Sequence, residues 1–284
     1  MHNYLSQESI KEFIKAAVQE DIRNGDHSSL AAIPESAQNN AELRIKAHGI
    51  IAGVEMAKHI LHYFNPQLKI NLFIEDGAEV QKGDVAFEVS GKARDILGAE
   101  RLLLNCMQRM SGIATYTTHL KSLIEGTKAQ LLDTRKTTPN FRIAEKWAVK
   151  IGGGTNHRFG LFDMVMLKDN HIDFAGGIEA AINATVDYLK KNNLNLKIEI
   201  ETRTLEEVEQ VVKTGKVDIV MLDNMPPKTI REALKIIGGR YKTEASGGIT
   251  EESIRSIAET GVDYISVGAL THSAPSLDMS LKAV

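Results

Sequence analysis

Two rhythms of apolar and polar residues divide the chain near Gly112. Before it, Ile10, Phe13, Ile14 and Val18 recur at helical spacing and predict a helix over 8–22, followed by the polar loop RNGDHSS. The stretch 41–53 (AELRIKAHGIIAG) reads as strand, and a helix is expected around 54–64. Residues 70–93 alternate in short segments broken by Asp-Gly and Lys-Gly turns. They faintly resemble half of a lipoyl or biotinyl carrier domain, but Lys82 stands in the wrong kind of turn for a modified lysine. A helical run over 97–126 completes an α+β part, placed at residues 1–111.

From about residue 128 the rhythm becomes strand–helix alternation. Mostly apolar strands are predicted at QLLDT (130–134), MVMLKD (164–169), KIEIET (197–202), DIVMLDN (218–224), KTEAS (242–246) and YISVGA (264–269). Amphipathic stretches such as LEEVEQVVKTG and PKTIREALKIIGG lie between them. Such alternation implies a parallel sheet covered on its outer face. Six units in about 140 residues are too few for the usual eight-stranded barrel of roughly 250, so an incomplete, six-stranded α/β barrel is expected over 112–270. The tail 271–284 is expected to join the first domain. A doubly wound open sheet is the structural alternative, although no Gly-x-Gly-x-x-Gly follows the first strand.

Composition narrows the function classes. With 43% hydrophobic residues, 25% charged residues and a formal net charge of −3, the chain matches an ordinary globular protein, not one that binds nucleic acid or membrane by bulk charge. The lone Cys106 excludes an intramolecular disulfide and a thiolate cluster, and its apolar setting reads as a buried structural thiol. No apolar run approaches a membrane span, and the N-terminus lacks a signal-type apolar core, so a cytoplasmic protein is expected.

Chemistry in such barrels gathers where strands end. The predicted ends carry Arg135 and Lys136, Lys168, Glu201, Asp223, Ser246 and Gly268, and the last four follow one another at steps of 22, 23 and 22 residues. That step is one strand–helix unit, so these residues hold equivalent places. Arg135, Lys136, Lys168 and the His157-Arg158 pair suit a substrate with several anionic groups. Glu201 and Asp223 cannot bind an anion directly, and a hard divalent cation such as Mg²⁺ is the natural mediator. Ser246-Gly247-Gly248 and Val267-Gly268-Ala269 form the glycine-rich turns that suit phosphate. Residue types alone therefore suggest an enzyme joining a carboxylated molecule to a magnesium-bound phosphorylated one.

The stretch DTRKTTPNFRIAEKWAVKIGGGTNHRFGLFDMVMLKDNHI (133–172) resembles the signature of the quinolinate phosphoribosyltransferase (carboxylating nicotinate-nucleotide pyrophosphorylase) family. The resemblance extends through EDIRNGDHSS, ERLLLNCMQRMSGIAT, IEIET, VMLDNM, EASGGIT and ISVGALTHSAPSLDMSLK. It implies an N-terminal α/β sandwich with a C-terminal six-stranded α/β barrel, and formation of nicotinate mononucleotide, CO₂ and pyrophosphate from quinolinate and phosphoribosyl pyrophosphate, for NAD synthesis. It further implies that Thr134, Arg135, His157, Arg158 and Lys168 line the quinolinate pocket, with Arg101 supplied by the partner subunit of a homodimer. Lys136, Glu201, Asp223, Ser246, Gly247, Gly248, Val267, Gly268 and Ala269 would serve phosphoribosyl pyrophosphate, with Glu201 and Asp223 holding Mg²⁺ and Lys136, Glu201 and Asp223 catalytic.

Two residues depart from the family pattern: Asn140 after TTP, and Arg23 in EDIRNGDHSS, both where Gly is common. Asparagine tolerates left-handed backbone, so the first turn is expected to survive. Three rival readings stand beside the main one: a molybdenum-transport-associated homologue of the same fold, an aldolase-type barrel with Lys168 as Schiff-base lysine, and a non-catalytic anion binder.

Overall fold

The computed structural model describes residues 4–284. Its first elements are α1 (Gln7–Asp21), α2 (His27–Ala32), β1 (Gln38–Ile45), β2 (Gly49–Ile50), α3 (Val54–Phe64), β3 (Lys69–Leu72), β4 (Glu79–Val80), β5 (Val85–Lys92) and α4 (Ala93–Leu123). They are followed by β6 (Gln130–Leu132), α5 (Arg142–Ile151), β7 (Val165–Leu167), α6 (Asp169–Ala175), α7 (Ile178–Lys191), β8 (Ile198–Thr202) and α8 (Leu205–Thr214). The chain closes with β9 (Ile219–Asp223), α9 (Pro227–Ile237), β10 (Lys242–Ser246), α10 (Glu251–Ala258), β11 (Tyr264–Ser266), α11 (Ala269–His272) and β12 (Met279–Ala283). Two compact units result, one of residues 119–135 and 154–268, the other of 4–118, 136–153 and 269–284.

In the discontinuous unit a four-stranded antiparallel sheet runs in the order β12-β1-β5-β3. β1 alternates, with Ala41, Leu43 and Ile45 buried and the residues between them more exposed, which is the two-residue period of a half-covered strand. The predicted strand over 41–53 breaks after Ile45, and Gly49–Ile50 pairs instead with β4. The predicted helix over 97–126 begins earlier, at Ala93, since β5 runs straight into α4. Leu103, Cys106, Met107 and Met110 of α4 are fully buried. A Cβ at Gly112 would lie 1.9 Å from the Pro275 carbonyl, so glycine is what lets the C-terminal segment press against this helix. The Asp76 carboxylate accepts from Val54 N (2.8 Å) and Glu55 N (3.2 Å), satisfying the open first turn of α3.

The other unit holds a parallel sheet in the order β6-β11-β10-β9-β8-β7. Strands from β7 to β11 stand in chain order, and β6 joins behind the last of them. A doubly wound sheet reverses order at a switch point; this one does not. The sheet is open between β6 and β7, where Thr155 bridges Leu132 and its N–H reaches the Leu131 carbonyl at 2.8 Å. The structure is thus the six-stranded incomplete α/β barrel. Outward residues Ile198, Ile200, Val220, Leu222 and Ala245 are buried, as expected under covering helices. Among the described residues no helix is long and apolar enough to cross a membrane.

Burial pushes the Cys106 thiol up to about 12. Since the thiolate is the reactive form, native protein at pH 8 is expected to take up no thiol reagent and denatured protein one equivalent. Rapid native labelling would contradict this packing.

Candidate active site

The inner face of the parallel sheet is organised in layers. His157 Nε2 lies 2.9 Å from Glu199 Oε2 on β8 and 3.3 Å from Glu244 Oε2 on β10, so both glutamates face one interior space. Side chains alternate along a strand, which places Glu201 and Ser246, two residues further on, over the same face. Ser246 is in register with Asp223, bringing the third strand end into this upper layer. The Glu201 carboxyl is held above its ordinary range, first by burial and then by Asp223, while Lys168 opposes the shift. Lys168, Glu201, Asp223 and Ser246 therefore sit together.

His157 differs from its expected role as an open cation of the pocket. Its side chain is 7% exposed and tied into the layer below. Burial disfavours the imidazolium, yet the hydrogen bonds to Glu199 and Glu244 outweigh burial and push its pKa up to about 10. Against that, Nδ1 accepts the Arg158 N–H at 2.7 Å, a contact that an imidazolium could not make. The tautomer with hydrogen on Nε2 satisfies the contacts to Glu199 and to the Arg158 N–H, and burial with the neighbouring Glu244 raises the Glu199 carboxyl to about 7. Ligand-type atoms of His157, Glu199 and Glu244 lie within 4.8 Å of one another. The cluster forms a polar floor tied by the 2.9 Å bond between His157 Nε2 and Glu199 Oε2, while Glu199 Oε1 and both Glu244 oxygens are buried with no hydrogen-bond partner among the described residues.

Asp133, fully buried, shapes the cationic wall by accepting from Asn156 Nδ2 (2.6 Å) and His157 N (2.8 Å). Asp163 takes the N–H groups of Phe159 (2.7 Å) and Gly160 (2.9 Å), closing the turn after Arg158. The Arg158 guanidinium donates to the Met164 carbonyl at 3.2 Å, but its buried Nε has no hydrogen-bond partner among the described residues. Burial, then the like charge of Arg135, lower its pKa. Two neighbouring guanidiniums with a buried donor left over form a receptor for an anion.

The Ser246-Gly247-Gly248 turn closes the ring. Gly247 and Gly248 have φ of +92° and +60°, and a Cβ at Gly247 would lie 2.2 Å from Asn224 Oδ1. Asn224 donates through Nδ2 to Asp223 Oδ2 (2.7 Å), and its N–H reaches the Ser246 carbonyl (2.8 Å). Asn224 thus locks a carboxylate to the turn. Val267 is buried and its N–H continues the sheet to the Leu132 carbonyl; Gly268 follows it. Thr134 and Arg135 extend beyond β6, partly buried and exposed respectively. Lys136, Ala269 and Arg101 belong to the other unit, where Lys136 and Arg101 are exposed.

Asp133, Asn156, Glu199, Asn224 and Glu244 were not among the expected site residues. The two glutamates left a trace, a charge in the interior of the predicted strands KIEIET and KTEAS.

Family models for the N-terminal and C-terminal domains of quinolinate phosphoribosyl transferase match residues 26–111 and 113–282. The chain belongs to the quinolinate phosphoribosyltransferase family. It is 46% identical over 289 residues to the mitochondrial quinolinate phosphoribosyltransferase [decarboxylating] 2b of Nicotiana tabacum, covering 96% of this chain and 82% of that one. A probable nicotinate-nucleotide pyrophosphorylase [carboxylating] of Bacillus subtilis is 41% identical over 272 residues, covering 96% of this chain and 92% of the relative. The crystal structure of NadC from Streptococcus pyogenes superposes with a TM-score of 0.91 at 37% identity, covering 99% of each chain. Membership of this family does not favour the molybdenum-associated or Schiff-base readings.

His157→Leu is expected to destabilise the protein by about 3–5 kcal/mol in urea denaturation, because two buried carboxylates lose their shared donor. His157→Gln, which can place an amide N–H there, should lose much less. Equal stability of the leucine variant and the wild type would refute the floor.

Proposed function

We infer that the chain is a decarboxylating quinolinate phosphoribosyltransferase that converts quinolinate and phosphoribosyl pyrophosphate to nicotinate mononucleotide, CO₂ and pyrophosphate for NAD synthesis. The observation that carries the reading is the buried, unpartnered Nε of Arg158 beside Arg135. An aromatic dicarboxylate supplies what that pair lacks. Arg135, Arg158 and Lys168, with Thr134, would grip it, while the imidazole of His157 supports Arg158 from below.

On the facing side, Glu201 and Asp223 are proposed to hold Mg²⁺ of phosphoribosyl pyrophosphate. Their mutual repulsion, felt in the raised Glu201 carboxyl, and their all-oxygen donor set fit a hard divalent ion. When bound, Mg²⁺ neutralises charge on the leaving pyrophosphate. Lys136, the Ser246-Gly247-Gly248 turn and the Val267-Gly268-Ala269 turn would hold the phosphates, and the Glu201 and Asp223 carboxylates would stabilise positive charge at the ribose C1. The pyridine nitrogen attacks C1 as the bond to pyrophosphate breaks and becomes cationic; the pair left on C2 as the adjacent carboxylate departs as CO₂ is stabilised by that neighbouring positive charge and takes a proton from water. Positioning and charge suffice, and no covalent enzyme intermediate is required. The proposal includes a homodimer in which exposed Arg101 reaches the partner's quinolinate. It also retains the cytoplasm as the compartment.

With quinolinate, phosphoribosyl pyrophosphate and Mg²⁺, pyrophosphate and CO₂ are expected in equal amounts, whereas nicotinate, lacking the departing carboxylate, should react poorly. Comparable turnover of nicotinate would overturn the decarboxylating assignment. Arg158→Ala should weaken quinolinate binding roughly tenfold to a hundredfold, the loss of about 1.5–3 kcal/mol typical of a charge-assisted hydrogen bond. Glu201→Gln and Asp223→Asn should impair Mg²⁺-dependent use of phosphoribosyl pyrophosphate and leave quinolinate affinity nearly intact.

A further inference from the structure

Lys136 follows β6 in a loop that contains Pro139 and an Asn140 at φ +61°. The backbone of a loop lysine is held by no ladder, yet misplacing a charged group by about 1 Å can cost on the order of a hundredfold in rate. Something must fix it. The Lys136 carbonyl accepts from Thr271 Oγ1 at 2.9 Å, and Thr271 is fully buried. Two residues on, Thr138 donates its N–H to Glu145 Oε2 (2.9 Å) and its hydroxyl to Glu145 Oε1 (3.0 Å). Glu145, on α5, is fully buried and also accepts from Arg109 Nε at 3.2 Å. Arg109, on α4, turns its remaining nitrogens to the carbonyls of Ala274 (Nη1, 2.6 Å) and Thr271 (Nη2). One guanidinium therefore connects the loop of Lys136 to the turn that begins at Ala269.

We propose that Arg109, Glu145 and Thr271 are positioning residues that hold the Lys136 loop at a fixed spacing from the Ala269–His272 turn. The inference rests on the reading of Lys136 and Ala269 as contacts for phosphoribosyl pyrophosphate. A buried ion pair contributes little stability beyond what apolar residues of the same size would give. A fully hydrogen-bonded polar network does specify one geometry. Here the specified geometry is that of two segments meant for one polyanion.

Thr271→Val keeps the shape and removes the hydroxyl, while Thr271→Ser keeps the hydroxyl. The valine variant is expected to lower kcat/KM for phosphoribosyl pyrophosphate about tenfold or more, with the calorimetric Kd for quinolinate within twofold of wild type. The serine variant should return to within about threefold of wild type. Glu145→Gln, which turns an amide toward the Thr138 N–H, should show the same one-sided loss and carries the comparison if the valine variant does not fold. Wild-type kinetics in Thr271→Val, an equal loss of quinolinate binding, or no recovery with serine would overturn the inference. A wild-type enzyme that releases no pyrophosphate would instead refute the functional reading on which it rests.

Discussion

The site depends on a polar floor inside the six-stranded sheet. Barrel interiors are usually filled by branched apolar side chains, and each buried carboxylate costs several kcal/mol unless partners are close. Here Glu199 and Glu244 are fully buried and share the imidazole of His157. That imidazole takes the Arg158 N–H, and the His157 N–H is taken by Asp133. The course of the chain at 156–158 is thereby fixed from two sides. The Arg158 guanidinium, which rises from it, starts from a set position and not from a mobile loop.

Above the floor, register distributes the charge. Ser246 lies opposite Asp223, and Glu201 lies opposite Met221, two residues before Asp223 on the same strand. Carboxylates fall on β8 and β9 and the glycine turn on β10, while the arginines stand on the other side at β6 and the segment after Thr155. Were the signs interleaved, each arginine would find a carboxylate and the ring would neutralise itself. Segregation leaves an Arg158 donor unpaired and two carboxylates in mutual repulsion. A site of this kind calls for an anion in one place and a cation in the other.

The ring and the fold class could be read from the chain because both are periodic. Repeats of 22 or 23 residues and apolar strand cores are local patterns, and Glu201, Asp223 and Ser246 follow from them directly. His157 shows where that reading stops. Its neighbour Arg158 suggested a shared cationic role, but its partners lie 42 residues away at Glu199 and further on at Glu244. Nothing local announces such a contact. Arg109 and Glu145 are harder still, since an arginine and a glutamate on amphipathic helices look the same whether they are solvated or, as here, buried against a loop. The strand break after Ile45 was hidden as well, because KAH carries no Pro or Gly to mark it.

The two departures from the family pattern have one physical explanation. Arg23 and Asn140 both adopt left-handed backbone, with φ of +46° and +61°. That conformation admits glycine freely and other residues at a cost of order 1 kcal/mol. Asparagine is among the residues that bear it best, and Asn140 sits in the loop that the Glu145–Thr138 bonds already hold. The turn is thus fixed by its contacts and not by the permissiveness of one residue. The same separation of geometry from residue choice accounts for the adjacent pair Arg135 and Lys136. The boundary between the two compact units passes between them. Arg135 lies beyond the end of β6 in one unit, whereas Lys136 begins the segment of the other that Thr271 and the clamp behind it hold. The two adjacent cations therefore answer to different parts of the fold.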